Sequence, residues 1–323
     1  GLAYNEAFVI NVTNANEAPT DITLSNNTVA ENAAGAVIGN VGVVEADAGD
    51  THTWTVDDVR IEIVGGQLRL KAGQSLDFET EPTVNLTITA TDQGGTGLAY
   101  NEAFVITVTN ANEAPTDITL SNANVDENAA GAVIGTVGVV DPDAGDTHSW
   151  TVDDVRFEVV GGQLRLKAGQ SLDFETEPTV NLTITATDQG GTGLAYNEVF
   201  VITVNDLNEA PTDITLSNNT VPEQSDGAIV GNVGVVDPDA GDTHAWTVDD
   251  VRFEIVGGQL KLRAGQTLDF ETEPTVNLTI TATDQGGTGL AYNEAFVITV
   301  TNANEAPTDI TLSNANVDEN AAG

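Results

Sequence analysis

The sequence predicts an all-β protein built from tandem, immunoglobulin-like Greek-key β-sandwich domains in a linear array. Two observations lead to this prediction. The segment Gly-Leu-Ala-Tyr-Asn-Glu begins at Gly1, Gly97, Gly193 and Gly289, so the 323-residue chain repeats itself every 96 residues. Each repeat also contains short segments in which apolar and polar residues alternate, as they do in strands that bury one face. A fixed period with this internal pattern indicates a series of similar domains.

The clearest of the predicted strands lies in the second repeat. Apolar residues occupy every second position from Val180 to Ala186, and Asn or Thr stands between them. Because successive side chains of a strand point to opposite faces, one face of this segment is predicted to pack in the core and the other to be exposed to solvent. The same pattern predicts strands at 118–120, 164–166 and 200–204.

A pair of glycines predicts a tight hairpin in each repeat. Gly161 and Gly162 separate two short apolar segments. Both central positions of a type I′ turn need a positive φ, which glycine adopts without steric cost. With the other turn signals, each repeat is predicted to contain about seven short strands, as antiparallel sandwiches of this size do. No segment of useful length shows a helical period.

The boundary of each repeat is placed just before the sequence Ala-Pro-Thr-Asp, because proline disrupts strand pairing and stiffens a linker. The predicted whole repeats are 17–112, 113–208 and 209–304, named the first, second and third repeats. Residues 1–16 are expected to be the C-terminal strand of a preceding repeat. Residues 305–323 are expected to be the N-terminal fragment of a following repeat.

The composition limits the classes of partner. Asp and Glu number 50 against 9 Lys and Arg, and the formal net charge is −41. Nucleic acids and anionic membranes bind to basic surfaces, so neither is an expected partner, and cations are predicted instead. The chain has no Cys and therefore no disulfide framework. It also has no apolar run long enough for membrane insertion of this segment.

The carboxylates cluster at predicted turns rather than on strand faces. In the second repeat they include Glu127, Asp141, Asp143, Asp173 and Asp188. A single acidic turn is equally well explained as a solvated loop, but several such turns recur in every repeat. Calcium takes six to eight oxygen ligands in proteins, and like charges brought together at a domain end need a counter-ion. The recurrent acidic turns therefore predict calcium sites.

Five motifs resemble those of the cadherin family. Leu172 to Glu175 is similar to the cadherin Leu-Asp-x-Glu motif, and Ala186 to Gly190 to Ala-x-Asp-x-Gly. Asp141 to Asp143 resembles the Asp-x-Asp motif, Val221 to Glu223 the Pro-Glu motif, and Asp206 to Pro211 the linker motif, one residue shorter. All five occur in family order over the whole chain. The linker sequence Asn-Glu-Ala-Pro-Thr resembles the linkers of cadherin-like repeats in large bacterial RTX-type adhesins.

The resemblance implies calcium ions at the junctions between repeats, two or three at each. At the first junction the implied ligands are Glu31, Asp77, Glu79, Asn110, Asn112, Glu113, Asp141, Asp143 and Asp188. At the second junction they are Glu127, Asp173, Glu175, Asp206, Asn208, Glu209, Asp237, Asp239 and Asp284. The N-terminal end group comprises Asn14, Asn16, Glu17, Asp47 and Asp92. The C-terminal end group comprises Glu223, Asp269, Glu271, Asn302, Asn304 and Glu305.

The chain departs from the family pattern at several of these positions. Asn14, Asn110 and Asn302 stand where the linker motif has Asp, and Glu45-Ala46-Asp47 replaces Asp-Pro-Asp. An amide is a weaker calcium ligand than a carboxylate, and affinity in such sites follows the ligand charge. The number of ions at each junction is therefore left open, and the second junction is expected to bind calcium more tightly than the first.

Three further residue types recur once in each repeat. The sets are Asp50, Asp146 and Asp242; Trp54, Trp150 and Trp246; and His52, His148 and His244. The aspartates are interpreted as closing a turn, in preference to binding metal. The tryptophans are interpreted as core residues rather than a carbohydrate platform, because polar Thr alternates with them. One histidine per repeat cannot build a transition-metal site alone.

The predicted function is a calcium-rigidified extender, or stalk, that projects a terminal binding domain of a large extracellular or cell-surface bacterial adhesin. Ions would neutralise the junction carboxylates and order the linkers between neighbouring repeats. Enzymatic activity is not expected. Acidic pairs such as Asp173 and Glu175 superficially resemble those of glycoside hydrolysis, but that reaction requires a cleft, and these pairs recur at the end of every domain.

Two alternatives remain open. The repeats themselves could associate, as homophilic adhesion modules or as an extracellular fibre. A carbohydrate-binding module is less favoured, because the outer strand positions are mostly Thr, Asn and acidic residues.

Overall fold

A computed structural model describes residues 1–94, 97–191, 193–286 and 289–307, together with 309–313, 315, 316 and 319. The described residues form 24 strands and no helix, and the prediction of an all-β fold is confirmed. Over these residues there is accordingly no helix long and apolar enough to cross a membrane. Part of the predicted 305–323 fragment lies outside the described residues.

The strands recur with the sequence period. In the first repeat they are β1 (Asp21–Leu24), β2 (Thr28–Ala30), β3 (Val37–Val44), β4 (His52–Val56), β5 (Ile61–Val64), β6 (Gln67–Leu70), β7 (Thr83–Asp92) and β8 (Ala99–Thr109). In the second repeat they are β9 (Asp117–Leu120), β10 (Asn124–Asp126), β11 (Val133–Val140), β12 (His148–Val152), β13 (Phe157–Val160), β14 (Gln163–Leu166), β15 (Thr179–Asp188) and β16 (Ala195–Asn205). In the third repeat they are β17 (Asp213–Leu216), β18 (Thr220–Pro222), β19 (Ile229–Val236), β20 (His244–Val248), β21 (Phe253–Val256), β22 (Gln259–Leu262), β23 (Thr275–Asp284) and β24 (Ala291–Thr301). The strands predicted at 118–120, 164–166, 180–186 and 200–204 are confirmed.

The first repeat is a sandwich of two four-stranded sheets, with strand orders β1-β3-β6-β5 and β2-β8-β7-β4. Neighbouring strands are antiparallel except for β2, in which Thr28–Ala30 pairs in parallel with Thr107–Thr109. The third repeat has the same two strand orders, β17-β19-β22-β21 and β18-β24-β23-β20. Each repeat thus has eight strands instead of the seven expected, and the short β2 is a strand that apolar alternation alone does not mark.

Apolar side chains from both sheets of the first repeat form one core. Leu68, Ile88 and Ile106 are fully buried in it, and Trp54 is half-buried and packs against it. Burial of one such aliphatic side chain stabilises the fold by about 1.5–3 kcal/mol. The third repeat has an equivalent core with Trp246 packed against it. Trp54 and Trp246 therefore contact the core, as predicted.

The predicted Gly-Gly turns are confirmed. Gly161 and Gly162 have φ values of 59° and 74°, the left-handed conformation that a type I′ turn requires at both positions. Gly65 and Gly66, with φ values of 58° and 75°, join the antiparallel pair β5 and β6 in the same way. The turn fixes the register of each hairpin, and thereby keeps its apolar residues on the core face.

The chain divides into two compact units. One comprises Gly1–Asn122, Ile134–Arg165 and Asn181–Phe200, and the other comprises Ala123–Val133, Leu166–Val180 and Val201–Gly323. The first unit contains the linker after β8 with the acidic turns on both sides of it. The second contains the linker after β16 with its acidic turns. The predicted repeat boundaries fall in these linkers and stay a prediction.

Candidate metal centres at the repeat junctions

The acidic side chains of the first junction come from the ends of strands and from one long loop. Glu31 follows β2, Asp77 and Glu79 lie in the loop between β6 and β7, and residues 110–113 follow β8. From the second repeat, Asp141 and Asp143 follow β11 and Asp188 ends β15. Strand ends and loops are where carboxylates can gather without occupying the core faces of a sheet.

The structure brings several of the predicted ligands into close groups. One ligand atom from each of Glu31, Asp77 and Glu79 lies within 4.8 Å of the other two. Glu79 forms a second group of this kind with Glu113 and Asp143, which joins the base of the first repeat to the linker and to the start of the second repeat. At the second junction, Glu127, Asp173 and Glu175 form the group that corresponds to the first one.

Glu31 anchors the linker to the base of its own repeat. The residue is only 2% exposed. One carboxylate oxygen accepts a hydrogen bond from the Phe78 backbone N–H at 2.8 Å, and the other accepts one from the Ala111 N–H at 2.7 Å. The carboxylates of Glu127 and Glu223 each bind two backbone N–H groups in the same way, those of Phe174 and Leu207, and of Phe270 and Ala303.

Asp143 anchors the first linker to the second repeat. Its carboxylate accepts hydrogen bonds from the Glu113 N–H at 2.6 Å and from the Asn110 amide at 2.8 Å. The Asn110 amide also lies 3.4 Å from a carboxylate oxygen of Glu79. At the second junction Asp239 accepts a hydrogen bond from the Glu209 N–H at 2.6 Å. The first linker is therefore held at both of its ends by buried carboxylates, those of Glu31 and Asp143.

The strongest indication of a cation site is a set of buried oxygens that have no hydrogen-bond partner. Asp188 is fully buried, and one of its oxygens accepts a hydrogen bond from the Gly190 N–H at 2.7 Å. The Oδ2 atom of Asp188 and the Oδ1 atom of Asn112 have no partner, and neither do the same atoms of Asp284 and Asn208. Burial of an ionised carboxylate without a partner is costly, so these atoms fit a bound cation.

Gly190 leaves the space in which the oxygens of this group converge. A Cβ atom at this position would clash with Asp146 Oδ2 and would lie 2.5 Å from Asn112 Oδ1. The backbone N–H of Asp146 also bonds to the Asp143 carbonyl at 3.3 Å, so the residue closes the turn as predicted. Its side chain in addition points into the acidic group, which the sequence interpretation did not favour.

The second junction contains an open acidic cavity of about 340 Å³. It is lined by Asp206, Asn208, Asp239, Ala240, Asp242 and Gly286. Partial desolvation, followed by the charges of Asp239 and Glu127, raises the pKa of Asp206 above its ordinary value. Burial and the charge of Asp284 likewise raise the pKa of Asp242. The raised pKa values show that ionisation of these neighbouring carboxylates is unfavourable without a counter-ion. A bound cation would stabilise their ionised forms.

The two end groups are only partly assembled. In the N-terminal end group, Asp47 accepts hydrogen bonds from the Asn14 amide at 2.5 Å and from the Glu17 N–H at 2.7 Å. Asp92 is fully buried and its Oδ2 atom has no partner, and the same is true of the amide nitrogen of Asn16.

In the C-terminal end group, Glu223 binds the two backbone N–H groups described above, and two further contacts involve Glu271. The amide of Asn302 donates a hydrogen bond to Glu271 at 2.8 Å, and Asp269 accepts one from the Glu271 N–H at 3.0 Å. Asn304 and Glu305 are exposed. The structure therefore brings Asn302 to its predicted neighbours but leaves the last two predicted ligands in solvent.

The histidines are the site residues that sequence reasoning missed. Nε2 of His148 lies 2.7 Å from Asp141 Oδ2, and one ligand atom from each of Asp141, His148 and Asp188 lies within 4.8 Å of the other two. The signal was present in the alternation of β12, because His148 shares its half-buried face with Trp150. In the second and third repeats the fold thus supplies the single histidine with two carboxylate neighbours.

The known proteins and solved structures that resemble the chain are protocadherins and cadherins. No model of a known protein family matches the chain. The chain is 29% identical to human (Homo sapiens) protocadherin beta-1 over 261 residues, which is 74% of this chain and 31% of that protein. It is 27% identical over 304 residues to mouse (Mus musculus) protocadherin Fat 4, covering 84% of this chain and 6% of that protein. The chain therefore spans less than a third of the length of either relative.

Solved cadherin structures superpose on most of the chain. A crystal structure of mouse cadherin-23 EC22-24 matches with a TM-score of 0.64 and 21% identity, over 87% of this chain and 98% of that one. Protocadherin Gamma B2 extracellular cadherin domains 1-5 match with a TM-score of 0.61 and 21% identity, over 91% of this chain and 62% of that one. Together with the sequence similarity, these matches show that the chain consists of tandem cadherin-like β-sandwich repeats.

Proposed function

We propose that the junctions bind calcium and that this binding stiffens the chain as an extender segment of an extracellular or cell-surface protein. The observation that carries the proposal is the pair of buried, unpartnered oxygens at each junction, Asp188 Oδ2 with Asn112 Oδ1 and Asp284 Oδ2 with Asn208 Oδ1. Around them the donors are mainly carboxylate and amide oxygens, which are the ligands that calcium prefers.

Two or three ions at each junction would be held by the predicted ligand sets. When bound, calcium would supply the positive charge that offsets the mutual repulsion of the carboxylates. The chain itself holds the linker at one end through Glu31 and at the other through Asp143. These two anchors limit the conformational freedom of residues 110–113. Bound calcium would reduce the repulsion between the junction carboxylates and would thereby stabilise this linker conformation.

The biological setting is part of the proposal. Structures that resemble the chain are described as extracellular cadherin domains, which supports a location outside the cell. The linker sequence Asn-Glu-Ala-Pro-Thr supports an origin in a large bacterial adhesin, in which such repeats would space a terminal binding domain from the surface.

Calcium binding is tested by equilibrium dialysis of the whole chain against labelled calcium. Asp188→Asn and Asp284→Asn keep the shape of each side chain and remove the charge of an unpartnered buried oxygen. We expect each variant to bind calcium at least tenfold more weakly at its own junction. The control Glu6→Gln removes one exposed charge far along the sequence from both junctions and should bind as the unmodified chain does. Equal binding by all four proteins would refute the junction sites.

Self-association is a second candidate function. One matching structure is described as a protocadherin gammaB7 EC3-6 cis-dimer. The outer face of β16 exposes Val199 at 66% and Val201 at 53%, an apolar pair between the polar residues Asn197 and Thr203. Sedimentation equilibrium over a hundredfold range of concentration tests this candidate. Association that is abolished by Val199→Thr with Val201→Thr would support it, and a monomer at every concentration would exclude it.

A further inference from the structure

Each repeat places a histidine at the start of the strand that follows its Asp-x-Asp loop. In the second repeat the side chain of His148 is only 6% exposed, and its Nε2 atom faces Asp141 Oδ2 at 2.7 Å. His148 is also the direct cross-strand partner of Asp188 in the antiparallel pair β12 and β15. Directly opposed residues of such a pair have their Cβ atoms about 4.5–5.5 Å apart on the same face.

The third repeat reproduces this arrangement. Nε2 of His244 lies 2.6 Å from Asp237 Oδ2, and His244 is the cross-strand partner of Asp284. As in the second repeat, the opposed aspartate is fully buried and its Oδ2 atom has no hydrogen-bond partner. Strand register therefore places an imidazole nitrogen within 4.8 Å of a carboxylate oxygen of the opposed, buried aspartate at both sites.

The donor set differs from that of a calcium site. One ligand atom from each of Asp141, His148 and Asp188 lies within 4.8 Å of the other two, and the equivalent atoms of Asp237, His244 and Asp284 do the same. Calcium is bound by oxygen, whereas imidazole is a preferred ligand of zinc, copper and nickel. Zinc–ligand distances of about 2.0–2.2 Å allow one ion to reach three donors at such separations after small side-chain movements.

We propose that Asp141, His148 and Asp188, and likewise Asp237, His244 and Asp284, bind a first-row transition-metal dication, with the histidine Nε2 as a direct ligand. Asn112 Oδ1 and Asn208 Oδ1, which have no partner, are available as a further oxygen donor at the respective sites. The proposal goes beyond calcium binding by oxygen ligands at the same junctions and does not require it. The competing role of the histidine is to donate a hydrogen bond that only orients the neighbouring aspartate.

The first repeat supplies a built-in comparison. Glu45 replaces the aspartate there, and its carboxylate lies 3.3 Å from His52 Nε2, against 2.7 Å for Asp141 and His148. The longer side chain and the wider separation predict weaker metal binding. We expect the affinity of the first repeat for zinc to be at least tenfold lower than that of the second.

The test uses the metal-free whole chain in variants that each keep a single histidine. His52→Gln with His244→Gln keeps only His148, and His148→Gln with His244→Gln keeps only His52. A triple variant lacks all three. Glutamine retains an N–H donor for the neighbouring carboxylate but removes the imidazole nitrogen. Circular dichroism confirms that each variant is folded before metal is added.

Zinc affinity is measured by calorimetry, and direct ligation by pulsed electron paramagnetic resonance with less than one equivalent of copper(II), which detects the remote nitrogen of a bound imidazole. We expect the chain that keeps His148 to bind zinc at least tenfold more tightly than the triple variant and to show the imidazole signal. Equal zinc affinity, or copper binding without an imidazole signal, would overturn the proposal and leave the histidine as a hydrogen-bond donor.

Calcium binding to the same samples separates this proposal from the calcium function. Normal calcium binding without imidazole ligation would refute the transition-metal site alone. Imidazole ligation in a chain that binds no calcium would refute the calcium function alone.

Discussion

Glu127 shows how a buried carboxylate is accommodated at an acidic domain end. The residue is 1% exposed, and its two oxygens accept hydrogen bonds from the Phe174 and Leu207 backbone N–H groups at 2.9 and 2.7 Å. Those two donors have no other role in strand pairing, because they lie in a loop and in a linker. The side chain therefore satisfies two partly buried backbone groups that no strand pair uses.

We expect Glu127→Ala to be less stable than Glu127→Gln. Both variants lack the charge, so a comparison between them removes the effect of charge repulsion. Glutamine keeps one acceptor oxygen, whereas alanine leaves both backbone donors without a side-chain partner. A buried donor without a partner costs about 1–3 kcal/mol, and the free energies of unfolding should differ by that amount.

Urea unfolding of the second repeat measures this difference. With Trp54→Phe and Trp246→Phe in the background, the fluorescence of Trp150 reports on the second repeat alone. Equal unfolding midpoints for the two variants in calcium-free buffer would show that the hydrogen bonds to Glu127 contribute nothing.

Several junction carboxylates bind protons more tightly in the folded chain than in the unfolded one. Burial, and then the charge of Asp188, raises the pKa of Asp146. Partial desolvation, and then nearby charges such as that of Glu127, raises the pKa of Glu175 from the ordinary 4.5 to about 7. Between these two values the folded state holds more protons, so the stability of the calcium-free chain should fall as pH rises through about 4.5–7.

Melting temperatures at pH 5.5 and 7.5 test this sign. In calcium-free buffer the chain should melt higher at pH 5.5, and Glu175→Gln should reduce the difference. In saturating calcium the order should reverse, because protons compete with the metal for the same oxygens. A higher melting temperature at pH 7.5 in calcium-free buffer would contradict the raised pKa values.

At the scale of the structural element, the two linkers differ by one functional group. The Asn110 amide donates to Asp143 at 2.8 Å and lies 3.4 Å from Glu79, so the first linker holds its junction partly without metal. Asp206 occupies the corresponding position of the second linker and has no proton to donate when it is ionised. Its raised pKa, caused by partial desolvation and then by Asp239 and Glu127, indicates repulsion in the absence of a cation.

We expect the second junction to bind calcium more tightly and to depend on it more strongly. A carboxylate adds both a stronger ligand and an additional repulsive charge. Asp206→Asn should weaken calcium binding at the second junction and stabilise it without calcium. Asn110→Asp should have the opposite effects at the first junction.

Calorimetric titration of the whole chain and of both single variants measures the affinities. The double exchange, Asn110→Asp with Asp206→Asn, is the matched control, because it conserves the total charge and should exchange the properties of the two junctions. Identical titrations of the unmodified chain and the single variants would show that linker charge is not the controlling variable.

The strands illustrate what sequence can predict at this scale. Alternation correctly placed the strand from Val180 to Ala186, because a half-buried strand needs one apolar face. The three-residue β2 was not separately predicted, since its parallel pairing with residues 107–109 depends on a contact about 80 residues away along the chain. No prediction was made for the face of His148, although β12 alternates, and its partner Asp188 could not be predicted because register between distant strands is set by the whole sandwich.

At the scale of the whole molecule, net charge is the property that calcium would alter most. The chain carries a net charge of −41, and such an excess destabilises compact states by repulsion. Calcium that binds only the folded junctions stabilises them by mass action. With a dissociation constant of about 0.1 mM, typical of the tighter extracellular modules, about 10 mM calcium should add roughly 2.7 kcal/mol for each independent site.

Thermal melting in calcium and in magnesium separates binding from screening. Magnesium demands a tight octahedral site and keeps its waters, so it should protect the chain much less than calcium at equal ionic strength. Equal protection by the two ions would indicate general screening of the acidic surface instead.

The sequence motifs identified most of the carboxylates that the structure brings together. The motifs lie at strand ends and in loops, and the fold places these segments near one linker. The motifs did not identify the inward orientation of Asp146, since the turn that it closes and the direction of its side chain are separate properties. They also gave no sign that Asn304 and Glu305 are exposed. Those two residues follow β24, the last strand of the described residues.

Sedimentation velocity of the whole chain, with calcium and after its chelation, tests the central claim most directly. If calcium stiffens the linkers, the calcium-bound chain is the more extended form and has the lower sedimentation coefficient, and chelation should raise that coefficient as the linkers loosen. Magnesium at the same ionic strength should not restore the calcium value. A sedimentation coefficient that stays constant while dialysis shows calcium binding and release would contradict the claim that calcium sets the stiffness of the chain.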